Sequence, residues 1–316
     1  MSRRRWGWAA PPMLVLWFLT SLVGSGLAGC AANGAALGAN GAGGSLQVVA
    51  GENFWGSIVA QLGGMRVSVK SVVTDPNADP HEYESSAADA RAFATARYVV
   101  LNGAGYDSWA QKLLDANPVD GRKVLTVATL LNKRAGDNPH FWYNPDYVER
   151  VVSRVTADLT SLDPAGASYY AQRRAAFETA LKPYHDRIAA IRTSFAGRQV
   201  GSTESIFVYM ASALGLNLIS PPEFMQAISE GNDPSVSAVA QFQAQITQRH
   251  ISVLVYNTQT ATSVTTNLLQ LAAQSHILVV GISETIQPPN QSFEDWQSSQ
   301  LARLQQALQR ASEQTP

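Results

Sequence analysis

PAGASYYAQRRAAFETALKPYHDRIAAIRTSFA, residues 164–196, is the stretch that decides the architecture. Asp163 precedes it as an N-cap, and Pro164 suits the first turn, where its missing N–H leaves no bond unmade. Phe177, Leu181, Tyr184, Ile188, Ile191 and Phe195 recur at spacings of four and three, which draws one apolar seam along a helix. At 1.5 Å per residue such a helix reaches roughly 50 Å, enough to lie across two lobes. Pro183 falls inside it and is expected to kink it. A coiled-coil partner would fit the same seam, but the pattern is brief for that, so a connector within the chain is the expectation.

On either side of this stretch the pattern changes to short apolar runs separated by amphipathic segments. Before it, strands are expected at 46–50, 67–73, 98–101 and 124–127, with helices at 54–62, 86–95 and 107–116 between them and 146–162 after them. Beyond Gly197, strands at 199–201, 216–219, 253–256 and 277–282 alternate with helices at 206–214, 234–249 and 264–275, and 293–311 closes the chain as a helix. Such alternation implies βαβ units and parallel sheets covered on both faces. The expected fold class is therefore α/β, with two βα-type lobes (46–162 and 197–316) of mainly parallel sheet joined by one long helix (163–196).

The N-terminus reads differently. Arg3, Arg4 and Arg5 form a basic region, an apolar stretch around 13–23 follows, and Leu27-Ala28-Gly29 leads to Cys30, the single cysteine of the chain. That order is a secretory signal, and its apolar part, interrupted by Thr20, Ser21 and Gly24, is short for a membrane span. Leu-Ala-Gly-Cys resembles a bacterial lipobox. Residues 1–29 are thus expected to be a signal peptide, with Cys30 lipidated and 30–45, rich in Gly, Ala and Asn, a flexible tether. An uncleaved anchor helix and an ordinary signal with a chance cysteine are the alternatives. The expected location is extracytoplasmic, lipid-anchored to the cell membrane.

One cysteine permits no internal disulfide, so stability has to come from a core, which 46% hydrophobic residues against 15% charged allow. Formal charge is −1 and falls to about −4 once the three arginines are lost. No basic stripe appears, so nucleic acid is excluded as a partner. No second apolar segment of membrane length occurs either. Translocation must belong to other chains.

Ligands of open α/β sheets sit beyond the C-terminal strand ends. Four loops there carry chemistry: Asp79-Pro80-His81-Glu82-Tyr83-Glu84, Asn138-Pro139-His140-Phe141-Trp142-Tyr143-Asn144-Pro145, Ser202-Thr203-Glu204-Ser205 and Gly281-Ile282-Ser283-Glu284-Thr285. Two imidazoles and two carboxylates, two groups from each lobe, would supply at least four ligand atoms and offset a 2+ charge. Each residue taken alone has a plainer reading, as a loop hydrogen-bonding group or, for Glu82 and Glu84, as the start of the next helix. His185 on the long helix, His250 near a helix C-terminus and His276 before a strand are read as structural.

These motifs, together with Tyr256-Asn257-Thr258-Gln259-Thr260 and Trp296, resemble the cluster A-I zinc and manganese solute-binding proteins of ABC importers. The likeness runs in family order over nearly all of the chain after the tether. It implies four metal ligands at the lobe interface, which fall on His81, His140, Glu204 and Glu284. Two features depart from the family's pattern. Glu204 stands where His is frequent, and Glu284 where Asp is common. Residues 130–138 also lack the His-rich loop associated with zinc. Oxygen-rich coordination leans towards manganese, while intrinsic affinity ranks zinc above it.

The resemblance implies a monomeric binding protein that captures Mn or Zn between its lobes and passes it to an ABC permease and its ATPase. It is not expected to be an enzyme. A surface adhesin with a structural metal is the alternative, and a metallohydrolase a more distant one, since no His-Glu-x-x-His run is present.

Overall fold

The computed structural model describes residues 44–77 and 80–314. The expectations placed on the signal peptide, Cys30 and the tether up to residue 43 lie outside the described residues, as does Asp79. Among the described residues no helix is long and apolar enough to cross a membrane.

Two four-stranded sheets carry the fold. The first contains β1 (Leu46–Glu52), β2 (Val67–Val73), β3 (Tyr98–Leu101) and β4 (Lys123–Thr126), in the order β2-β1-β3-β4. The second contains β5 (Gln199–Ser202), β6 (Asn217–Leu218), β7 (Val253–Asn257) and β8 (Leu278–Ile282), in the order β6-β5-β7-β8. Every pairing in both is parallel. The two sheets share one plan, and each reverses its strand order beside its first strand. That switch point is where an open α/β sheet leaves a crevice for a ligand.

Helices cover the sheets: α1 (Asn53–Gly63), α2 (Ala87–Thr95), α3 (Ser108–Ala116), α4 (Val127–Leu130) and α5 (Pro145–Leu162) in the first half. The second half holds α7 (Val208–Ala213), α8 (Pro222–Ser229), α9 (Val236–Thr247), α10 (Ser263–Gln274) and α11 (Phe293–Glu313). Between them runs α6 (Ala167–Phe195), entered through a 3-10 turn at Pro164–Gly166.

All six seam residues of α6 are buried, joined by Tyr170, each worth roughly 2 kcal/mol on removal from water. They pack against α1 and α5 on one side and α11 on the other. One apolar cluster consequently runs from Val48 through α6 to Leu308 without a gap. The helix is continuous through Pro183, which is exposed. Water can therefore serve the carbonyl that proline leaves without an N–H.

Local differences from the sequence expectations have local causes. Val127 ends the expected fourth strand but opens α4 instead. The helix expected from Ile206 is a 3-10 turn, Ser205–Phe207, followed by the short α7. The helix expected from Pro234 begins at Val236, because Ser235 caps it by accepting the Ala238 N–H. Helix α8 was not expected at all: Pro222 occupies the first helical turn, and Phe224, Met225 and Ile228 are buried.

Candidate metal centre

His140 is the most firmly held of the four candidates. It follows α4 on a loop pinned from both lobes. Asn102 Nδ2 donates to the Pro139 carbonyl at 2.9 Å, and Tyr209 Oη donates to the Asn138 carbonyl at 2.9 Å. Asn138 Nδ2 donates to the Ser205 carbonyl at 2.7 Å, which fixes the direction of its amide. Its Oδ1 then faces the ring, 2.8 Å from His140 Nδ1. Nδ1 therefore carries the proton, and Nε2 is left with a lone pair. Trp142 closes one side of the fully buried ring, edge to face at 5.2 Å.

Glu204 lies just past β5. The Thr203 N–H donates to the Val255 carbonyl at 3.0 Å, prolonging the sheet by one residue before the chain turns into Ser205–Phe207. The Glu204 side chain is wholly buried, and its Oε2 accepts from Asn257 Nδ2 at 2.6 Å and from Thr260 Oγ1 at 2.5 Å. Its other oxygen, Oε1, is 3.3 Å from His140 Nε2.

Glu284 follows β8 by two residues. Its backbone N–H and that of Thr285 both donate to Gln259 Oε1 at 2.9 Å, and Ser283 N–H donates to Gln300 Oε1 at 2.8 Å. The carboxylate accepts from Asn257 Nδ2 at Oε1 (2.6 Å) and from Tyr106 Oη at Oε2 (2.5 Å). Burial alone would raise this carboxyl, but the His81 imidazole beside it, the His140 ring and the Tyr106 hydroxyl outweigh burial and hold it down at about 2. Burial and the neighbouring Glu284 charge push the Tyr106 phenol well up, so it stays a donor. Glu52, at the end of β1, is likewise pushed well up by burial and by the Asp107 carboxylate.

His81 sits on a 3-10 turn, Pro80–Glu82, with Nε2 3.4 Å from Glu284 Oε2 and its ring edge-on to Tyr106 at 4.9 Å. It alone of the four retains exposure, 20% of its side chain. A cleft of about 650 Å³ is lined by His81, Tyr106, Asn138, Ser205, Met225 and Glu230 among others, and of the four candidates only His81 reaches it.

One ligand atom from each of His81, His140, Glu204 and Glu284 lies within 4.8 Å of all the others. A tetrahedral ion with bonds of 2.0–2.1 Å requires ligand atoms about 3.4 Å apart. The observed 3.4, 3.3 and 4.0 Å (the last between His140 Nε2 and Glu284 Oε2) lie close to that edge. All four residues singled out in the sequence are thus brought together. Glu82 and Glu84 are exposed and take no part. His185 pairs with Glu149 of α5 at 3.1 Å, and His250 and His276 lie exposed at the surface.

Sequence reasoning missed the residues behind the ligands. Asn138 stands two before His140, an Asx-turn spacing that could have flagged it, and its Oδ1 does accept the His140 backbone N–H at 3.1 Å. Asn257 and Thr260 lay in a quoted motif with no role attached. Tyr106 had no sequence signal.

Known proteins resemble this chain in sequence and in fold. The sequence profile of the ZnuA family (zinc-uptake complex component A, periplasmic) matches residues 48–307. The manganese-binding lipoprotein MntA of Halalkalibacterium halodurans is 28% identical over 219 residues, 67% of this chain and 71% of the relative. Among solved structures, ZnuA superposes with a TM-score of 0.65 at 24% identity, covering 85% of this chain and 98% of that one. The periplasmic zinc-binding protein TroA of Treponema pallidum superposes at 0.70 with 18% identity, covering 85% and 99%. These two likenesses speak for the fold, and the profile match spans most of the sequence. The chain belongs to the ZnuA family of metal-uptake binding proteins.

Proposed function

We propose that this protein captures a divalent transition metal ion, manganese or zinc, through His81, His140, Glu204 and Glu284 and delivers it to an ABC permease and its ATPase. One observation carries the reading. His140 Nε2 and Glu204 Oε1 are fully buried 3.3 Å apart, and neither has a hydrogen-bond partner among the described residues. Buried polar atoms are costly in that state, and a cation between them removes the cost. Two carboxylates balance its charge.

Family membership supports import over adhesion, and the relatives' descriptions as manganese- and zinc-binding proteins support the choice of ions. On a tetrahedral ion four protein ligands leave no open position for an activated water, which favours binding over catalysis. All four come from one chain, so a monomer suffices. Anchoring through lipidated Cys30, with residues 1–29 removed and 30–45 as tether, would hold the loaded protein beside its permease outside the cytoplasm.

Metal analysis and titration of the soluble chain test the reading. The expected result is one Mn or Zn per chain, lost when His81 and His140 are both replaced by Ala, and faster uptake by the permease reconstituted with the loaded protein. Stoichiometric metal retained by the double variant would sink the assignment.

A further inference from the structure

Asn257 does something unusual for one side chain. Its Nδ2 lies 2.6 Å from Glu204 Oε2 and 2.6 Å from Glu284 Oε1, so one amide spends its two N–H groups on two different carboxylates. The Gln259 N–H donates to Asn257 Oδ1 at 3.0 Å, which fixes which end of the amide faces the acids. Thr260 Oγ1 adds a second donor to Glu204 Oε2 at 2.5 Å. Asn257 and Thr260 are both buried, so water does not compete for these bonds.

The consequence is geometric. With two donors, Glu204 Oε2 has both lone-pair directions occupied and can only watch an ion that Oε1 binds. Glu284 Oε1 is turned to Asn257, while Oε2, 3.4 Å from His81 Nε2, keeps one lone pair beyond the bond from Tyr106. Glu204 is thereby confined to one coordinating oxygen, Oε1, whereas each oxygen of Glu284 accepts one hydrogen bond and keeps one lone pair. Residue composition alone points to oxygen-rich coordination. The hydrogen bonds take one of the four carboxylate oxygens, Glu204 Oε2, out of use.

We propose that Asn257 and Thr260 form a clasp that holds Glu204 monodentate and so biases the site towards an ion of low coordination number, zinc, and against manganese, which favours six ligands. The proposal rests on the ligand assignment above. Asn257 and Thr260 are positioning residues here: they act on the ion only through Glu204 and Glu284.

The test compares the wild-type soluble chain with Thr260→Val, Asn257→Leu and the double variant, using competition between Zn(II) and Mn(II) and X-ray absorption of each loaded form. Wild-type protein should hold Zn(II) with four ligands. The double variant should gain ligands, and its affinity for Mn(II) relative to Zn(II) should rise at least tenfold. Thr260→Val keeps the volume of the side chain and carries the test if Asn257→Leu does not fold; it should shift the ratio about fivefold, and Thr260→Ser should restore it. A ratio and ligand number unchanged in Thr260→Val or in the double variant would overturn the clasp while leaving the ligands standing. A wild-type chain that binds neither ion would overturn both.

Discussion

The two histidines of the site are the same chemical group in unlike surroundings. His140 is buried, its ring gripped directly by Asn138 and walled by Trp142. His81 stands at the cleft with 20% of its side chain exposed, and a further anchor binds the residues following it. That anchor is Asp89 in the first turn of α2. It accepts from Tyr83 Oη at 2.8 Å and from the Ser86 backbone at 2.8 Å and hydroxyl at 2.6 Å, and it pairs with Lys70 at 3.2 Å. The contrast teaches that rigidity in this site is graded. The inner ligand is preorganised, and the outer one is placed where an ion would enter or leave.

Replacing His140 by Ala should break that contrast most severely. Tight zinc sites gain ~10–16 kcal/mol from four ligands, so one buried ligand is worth roughly 3 kcal/mol, about a hundredfold in Kd. His81→Ala should cost less, roughly tenfold, because water can reach the vacated position; it should instead speed dissociation. Isothermal titration with stopped-flow release would check both, and equal losses would erase the distinction drawn here.

Asn138→Ala sharpens the comparison. It leaves every ligand in place and removes the acceptor for His140 Nδ1–H, together with the side chain's bonds to the His140 N–H and the Ser205 carbonyl, which should weaken binding by about tenfold. An unchanged Kd would mean that Trp142 and the loop suffice to hold the ring.

The smallest effect on binding should come from Asp89→Asn, and here stability is the better readout. Burial would raise the Asp89 carboxyl, but hydrogen bonds from the Ser86 side chain and backbone, Tyr83 and Lys70 bring it from 3.8 to about 2. A folded value below the unfolded one gives stability that is complete above about 3.8 and disappears as pH falls through about 2. The variant should therefore lose about 2 kcal/mol at pH 7 and match the parent near pH 2. Urea denaturation at several pH values would measure it; a loss that does not change with pH would refute the charge origin.

How much of this was legible beforehand depends on the range of the interaction. The α6 seam was readable because helical periodicity is local, and every residue named in it is buried. The alternation of strands and helices was readable for the same reason. Helix α8 was not, since Pro221-Pro222 masks a helix start and its apolar face is set by packing against Phe242 and its neighbours. The four clustered residues could be named because each lies in a motif that resembles the family's. Their supports could not. Tyr106 reaches Glu284 across 178 positions of sequence, and Asn257 meets Glu204 across 53. No period or spacing records a hydrogen bond between segments that far apart.

The unbroken core through α6 has a consequence for how a loaded molecule could be told from an empty one. Both lobes grip the same helix, so bending one against the other would tear buried apolar contacts. Little change of outline is then available to advertise the cargo. What an ion at the proposed ligands would change is the electric field at the cleft: one doubly charged ion would neutralise two buried carboxylates, behind a mouth lined by Glu82, Asp137 and Glu230. A receiving protein would distinguish full from empty by potential more readily than by shape.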